Sequence, residues 1–231
     1  MSLDLSRIRG LCFDIDGTLS DTDDRWVARL ARGLAPFRPV LFGREPKAIA
    51  RRVVMGIERP GNFLLGIPDS LGIDRPLADA LRSMERVGLL RSPRRDGFWL
   101  VPQARETLAA LAPHFPMAVV SARDEPDTQA FLEQFDLGSF FRCVCTAFTC
   151  EHTKPYPDPV RWASAQMGLS PDRVVMIGDT TIDIRAGRAA GAQTIGVLCG
   201  FGEEPELRRA GADLILPTTA RLPDALLHES P

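Results

Sequence analysis

The chain has 231 residues, 45% of them apolar and 25% charged, and its 28 basic and 30 acidic side chains leave a net charge of minus two. That length holds one large core, or a core with a smaller module, while near-zero charge without a basic stripe argues against nucleic acid as a main partner. The charged first nine residues and the shortness of every apolar run give no secretory leader, transit peptide or membrane span, so the expected setting is the cytoplasm with no membrane partner.

Six short apolar runs organise the chain, near Ile8 to Phe13, Met117 to Val120, Phe141 to Cys145, Val174 to Ile177, Thr194 to Val197 and Leu214 to Leu216. A short apolar run ending in turn residues reads as a buried parallel strand. Alternation of such runs with helical patterns predicts an α/β fold built on a doubly wound parallel sheet. The first run leads into Asp14-Ile15-Asp16-Gly17-Thr18.

The composition then changes. Residues 21–100 hold 15 basic against 10 acidic side chains, a net of plus five, whereas the remainder holds 13 against 20, a net of minus seven. Within this stretch Trp26, Leu30, Leu34 and Leu77, Leu81, Met84 recur at spacings of three and four, and Pro36, Pro39, Pro46, Pro60, Pro68 and Pro76 separate the segments. That pattern predicts an inserted all-helical module at 21–100, with the α/β core formed by 1–20 and 101–231.

The second run ends at Ser121, followed by Ala122 and Arg123. The third places Cys143 and Cys145 on one strand face, with Cys150 and His152 beyond. These are expected to be buried thiols, with a zinc site as the minor alternative. Lys154 follows, in a proline-rich turn where Asp158 is the expected N-cap and Pro159 the first helical residue. The fourth run opens onto Gly178-Asp179-Thr180-Thr181-Ile182-Asp183, at the start of a helix expected to end near Gly191. The tail carries Gly196-Val197-Leu198-Cys199-Gly200-Phe201-Gly202 and Ala210-Gly211-Ala212-Asp213.

In an open α/β sheet the carboxyl ends of the strands share one edge, where ligands bind. Asp14, Asp16, Asp179, Asp183, Ser121 and Lys154 are therefore expected to converge there. Four carboxylates against one ammonium give a net of minus three. Two like charges about 4 Å apart repel by roughly 4 kcal/mol at an effective dielectric of 20, so such a cluster calls for a cation. Hard carboxylate oxygens without His or Cys favour Mg²⁺. With the metal bound and one carboxyl protonated the sum is zero, a site suited to a phosphate dianion. Taken alone, Asp-x-Asp-Gly also fits a turn or a calcium loop, but the EF-hand glycine falls at the sixth loop position and Gly17 falls at the fourth. Walker-type phosphate loops, His-Glu-x-x-His zinc motifs and dinucleotide-type glycine patterns are absent.

The four stretches, in this order, resemble the motifs of the haloacid dehalogenase-like hydrolase superfamily. They are Asp14 to Thr18, Ser121, Lys154-Pro155 and Gly178 to Asp183, and the tail is similar to the phosphoglycolate phosphatase-like branch. The resemblance implies a Rossmann-like hydrolase core with a C1-type helical cap, and a Mg²⁺-dependent phosphatase of small phosphorylated metabolites. Asp14 would be the nucleophile that forms an aspartyl-phosphate. Asp16 would protonate the leaving oxygen and then deprotonate water, holding its proton through crowding by the other carboxylates. Ser121 and Lys154 would bind and neutralise the phosphoryl oxygens. The backbone around Gly17 and Thr18, with Ala122, would cradle phosphate. Asp14, Asp179, Asp183 and a carbonyl oxygen of Asp16 would hold the metal. Because Asp16 is present, phosphate ester chemistry is expected in preference to dehalogenation. The alternatives are a phosphomutase of sugar phosphates and a non-catalytic binding protein with the same fold.

The cap read from 21–100 would close over the site on hinges near Ser20 to Asp23 and Ser92 to Pro102. Its positive charge suits an anionic substrate, and Arg52 and Arg59 are the candidate contacts, although 26 Arg against two Lys across the chain explain part of that excess. The loop Gly61 to Gly66 is a candidate specificity element. Arg123 either reaches the phosphate or is solvated.

Overall fold

The computed structural model describes residues 3–21 and 98–227. Within them lie β1 (Gly10–Phe13), α1 (Ala104–Leu111), β2 (Met117–Val120), α2 (Glu125–Gln134), β3 (Phe141–Cys145), α3 (Asp158–Gln166), β4 (Val174–Gly178), α4 (Thr181–Ala190), β5 (Gln193–Val197), α5 (Glu204–Ala210), β6 (Leu214–Leu216) and α6 (Leu222–Leu227). Most of the expected cap at 21–100 falls outside these residues, as do Arg52, Arg59 and the loop Gly61 to Gly66.

All six strands pair in parallel in the order β3-β2-β1-β4-β5-β6. Cys12 aligns with Ala118 on one side and Met176 on the other, which centres β1 in the sheet. The chain builds outward from β1 to β3, then returns to lay β4 against the opposite edge of β1. The direction of winding therefore reverses beside β1, the place where a doubly wound sheet opens its ligand crevice.

Side chains alternate along each strand and fill two cores, one per face. On one face Leu11, Phe13, Val119 and Ile177 pack with Leu108, Leu111, Phe131 and Leu222 from the helices. On the other, Cys12, Val120 and Met176 pack with Val160, Ala163 and Ala186. Both faces of β1, β2 and β4 are thus covered, which is why those strands read as unbroken apolar runs.

The strand positions follow the sequence expectation closely, with differences at the ends. β1 starts at Gly10 and not at Ile8, because Asp4 accepts a hydrogen bond from the Ser6 amide and turns Leu5–Arg7 into one 3₁₀ turn. Ile8 is buried in the core all the same. Asp158 is the first residue of α3 and Pro157 takes the cap position, so the expected carboxylate cap is not made. α4 does end at Gly191, which adopts a φ of 89°. Among the described residues no helix is long and apolar enough to cross a membrane.

Candidate active site

The carboxyl ends of β1 and β4 place Asp14 and Asp179 next to each other in space. The Asp14 amide continues the sheet by donating to the Ile177 carbonyl at 2.9 Å. Beyond Asp14 the chain reverses at once, since the amides of Thr18, Leu19 and Ser20 all return to the Ile15 carbonyl. Gly17 makes the turn possible with a φ of 72°, and a Cβ on it would lie 2.3 Å from Asp179 Oδ2. Only glycine meets both demands. The turn is held from outside as well: Thr219 Oγ1 donates to the Thr18 carbonyl at 2.6 Å and Cys199 Sγ to the Gly17 carbonyl at 3.3 Å.

Lys154 Nζ lies 2.7 Å from Asp14 Oδ1 and 2.7 Å from Asp183 Oδ1, and all three side chains are buried. Asp183 serves two neighbours. Its Oδ2 accepts from the Thr180 amide at 3.0 Å and the Thr180 hydroxyl at 2.8 Å, which starts α4, while its Oδ1 faces the lysine. Carboxylate oxygens of Asp14, Asp179 and Asp183 lie within 4.8 Å of one another. Asp179 Oδ2 accepts from the Phe201 amide at 2.7 Å, whereas its Oδ1 is buried and makes no hydrogen bond. A buried oxygen without a partner needs one.

This crowding changes proton affinities in a consistent way. Burial, reinforced by the Asp183 and Asp16 charges and opposed by Lys154, pushes Asp14 up to about 7. Burial and then the Asp183 and Asp14 charges raise Asp179 well above the carboxylate range, against the pull of the Phe201 amide. For Lys154, burial favours loss of the proton, but the two carboxylates beside it outweigh that and raise its affinity. The lysine is therefore a fixed positive charge. Three ionised carboxylates and one ammonium leave minus two, which one divalent cation would neutralise. The donor set is hard oxygen throughout, and the orphaned Asp179 Oδ1 is a ready ligand, so the residues fit Mg²⁺.

Ser121 follows β2, anchored by its amide to the Cys145 carbonyl at 2.9 Å. Its Oγ accepts from the Arg123 amide at 3.1 Å, which leaves the hydroxyl proton available to donate. Ala122 is exposed beside it, and Thr18 is fully buried.

Asp16 departs from the expected convergence. Its carboxylate is turned to Arg123, which donates from Nε at 2.7 Å and also from Nη2. The buried cluster holds three carboxylates, those of Asp14, Asp179 and Asp183, not four. Of the two expectations for Arg123, solvation does not hold. Its side chain is only 12% exposed and lies against the rings of Phe98 and Phe131 at 5.0 and 5.5 Å. Cys143, Cys145, Cys150 and His152 make no metal-type cluster among the described residues. Burial raises the Cys143 and Cys145 thiols, which agrees with their reading as inert buried groups.

Several contributors had no counterpart in the sequence reading. The Phe201 amide, Cys199 and Thr219 all support the site from beyond β5 and β6. The available signal was Gly200 and Gly202 flanking one residue just after an apolar strand. A Cβ on Gly200 would lie 2.1 Å from Asp179 Oδ2, and one on Gly202 1.8 Å from the Asp179 carbonyl oxygen.

Comparison with known proteins agrees with this architecture. Residues 91–197 match the family model described as haloacid dehalogenase-like hydrolase. A phosphoglycolate phosphatase of Escherichia coli O157:H7 is 27% identical over 240 residues, covering 95% of this chain and 92% of that protein. Among solved structures, a haloacid dehalogenase family hydrolase of Deinococcus radiodurans R1 with bound phosphate and sodium has a TM-score of 0.66 at 24% identity, over 95% of each chain. A Thermotoga maritima protein provisionally described as a β-phosphoglucomutase has a TM-score of 0.61 at 18% identity, covering 95% of this chain and 99% of that one. At these identities the two structures show likeness of fold alone. The matched family model, the relative that spans nearly the whole chain and the parallel sheet with its acidic cluster agree: the chain is similar to the haloacid dehalogenase-like hydrolases, and along most of its length to a phosphoglycolate phosphatase.

Proposed function

We propose that this phosphoric monoester hydrolase is Mg²⁺-dependent, acts on small phosphorylated metabolites, and works through an aspartyl-phosphate on Asp14. The observation that carries the reading is the buried group of Asp14, Asp179, Asp183 and Lys154 at the switch point of the sheet, with one Asp179 oxygen left without a partner.

Asp14 is the nucleophile because it stands just past the carboxyl end of the central strand, buried, with Lys154 against its Oδ1. Its carboxylate oxygen bonds to phosphorus while the bond from phosphorus to the ester oxygen breaks. Asp16 gives its proton to that departing oxygen, so the product is a neutral alcohol. Water then attacks phosphorus, returns a proton to Asp16, and frees phosphate and the Asp14 carboxylate. Ser121 donates to a phosphoryl oxygen, the loop at Gly17 and Thr18 with Ala122 offers backbone donors, and Lys154 offsets negative charge throughout. Asp14, Asp179, Asp183 and the Asp16 carbonyl would hold the metal, which when bound supplies positive charge that keeps Asp14 ionised and draws in phosphoryl oxygens. Residues 21–100 are assigned by the same reading to a helical cap that contributes to substrate choice, and the cytoplasm to its setting.

The test is release of inorganic phosphate from p-nitrophenyl phosphate and from a panel of phosphometabolites, including 2-phosphoglycolate and sugar phosphates, with Mg²⁺ or with chelator. Release that requires Mg²⁺ is expected. Phosphate moved between sugar hydroxyls without release would make the chain a mutase, and no reaction with any compound would make it a binding protein.

A further inference from the structure

One carboxylate of the four is held away from the rest. Asp16 sits two residues beyond Asp14, where Lys154 attracts a carboxylate and the other acidic side chains repel it. It is instead engaged on both oxygens by one guanidinium, from Nε at 2.7 Å and from Nη2, which also reaches Ser20 Oγ at 3.4 Å. The two partners differ in freedom. The Asp16 side chain is 40% exposed, while that of Arg123 is 12% exposed and packed against Phe98 and Phe131. Those rings are themselves fixed, edge to face at 5.8 Å, with the Phe98 backbone bonded in both directions to the Gln134 side chain. Arg123 is thus a rigid anchor and Asp16 the group that it places. An ordinary surface ion pair would have two mobile, solvated partners.

We infer that Arg123 is a positioning residue for Asp16: its clamped, two-pronged guanidinium sorts the four acidic side chains into three that share the buried centre and one kept at the exposed edge, where a leaving alcohol departs. A planar fork suits this task because it fixes the orientation of the carboxylate as well as its place. As a leaving oxygen arrives, Asp16 frees one oxygen from Arg123, takes up a proton there from solvent at its exposed edge and passes it to the leaving oxygen, while the other oxygen stays on Arg123. The inference rests on the reading of Asp16 as the proton donor to that oxygen.

The experiment compares kcat/KM for the best alkyl phosphate of the panel with that for p-nitrophenyl phosphate, whose leaving group departs without a proton. Release of the alcohol closes the part of the reaction that kcat/KM reads, so the ratio reports proton delivery alone. Arg123→Met fills the slot between the rings without charge, and should lower the alkyl value at least about tenfold, in line with the contribution of a placed acid, while leaving the aryl value within a small factor. Arg123→Lys should restore part of the alkyl value. On an Asp16→Asn background, Arg123→Met should leave the alkyl-to-aryl ratio unchanged. Should the Met variant fail to fold, Arg123→Lys decides alone, since a point charge without the fork must lower the ratio in the same sense. Equal losses on both substrates would make Arg123 a phosphate ligand, and an unchanged or raised alkyl value would make the pair idle or restraining; each overturns the inference. Wild-type protein that hydrolyses neither substrate would overturn the phosphatase mechanism itself, and the inference with it.

Discussion

Asp183 commits one oxygen to starting α4 at Thr180 and the other to Lys154. The helix cap and the acidic centre are therefore one structure, and the lysine ties both to the end of β1. With Lys154 removed, Asp14 and Asp183 would be left buried without their cation. Lys154→Ala should therefore lose most activity and, in chelator, about 3 kcal/mol or more of stability, the usual cost of breaking a buried pair; thermal melts check the second part. Asp14→Asn acts in the opposite direction on stability. It removes one of three mutually repelling carboxylates, so the melting temperature in chelator should hold or rise, while phosphate release falls on the order of a thousandfold or more, as for lost nucleophiles elsewhere.

At the scale of elements, the loop after β5 closes the back of the site. The Phe201 amide fixes Asp179 Oδ2, and the two glycines beside it let the backbone come close enough to do so. Gly200→Ala would push directly against the Asp179 carboxylate and against the Gly17 backbone, 2.6 Å from the added Cβ, turning Oδ1 away from its place and lowering stability with or without metal. Supports of this kind are typically worth about 10 to 100-fold in metal affinity, so the variant should melt lower in chelator and need that much more Mg²⁺ for the same rise in melting temperature. The strands themselves were legible in the sequence because β1, β2 and β4 are covered on both faces and carry no polar interruption. Asp14, Ser121 and Asp179 were legible because each follows where such a run stops, and Lys154 because it opens a proline-rich turn ahead of a helix. The Asp16 to Arg123 pair was not, since the choice depends on Phe98 and Phe131, which approach only in the folded chain. Nor could spacing reveal that Thr219 would hold the Thr18 carbonyl from the far end of the molecule.

For the molecule as a whole, the acidic centre couples folding to pH. Asp14 binds its proton more tightly when folded, moving from 3.8 to about 7, and Asp179 shifts the same way. Between those values the folded state holds more protons than the unfolded chain, so this contribution to stability is complete at low pH and is lost as pH rises. In chelator the melting temperature should therefore lose this contribution between about pH 4 and pH 7. Added Mg²⁺ should oppose the loss and act most strongly at the upper end, because the cation binds the ionised carboxylates. A metal effect that is the same at both ends would contradict the electrostatic origin assigned to the cluster.

The central claim is that Asp14 takes up the phosphoryl group and Asp16 serves the steps on either side. Asp16→Asn given p-nitrophenyl phosphate and Mg²⁺ can still lose p-nitrophenolate, which needs no proton, but lacks the base that clears the intermediate. Acid quench and peptide mapping by mass spectrometry should then find a phosphoryl adduct on Asp14, absent when Asp14→Asn is added. Release of p-nitrophenolate by Asp16→Asn with Asp14 unmodified, or with the adduct on another residue, would contradict the account.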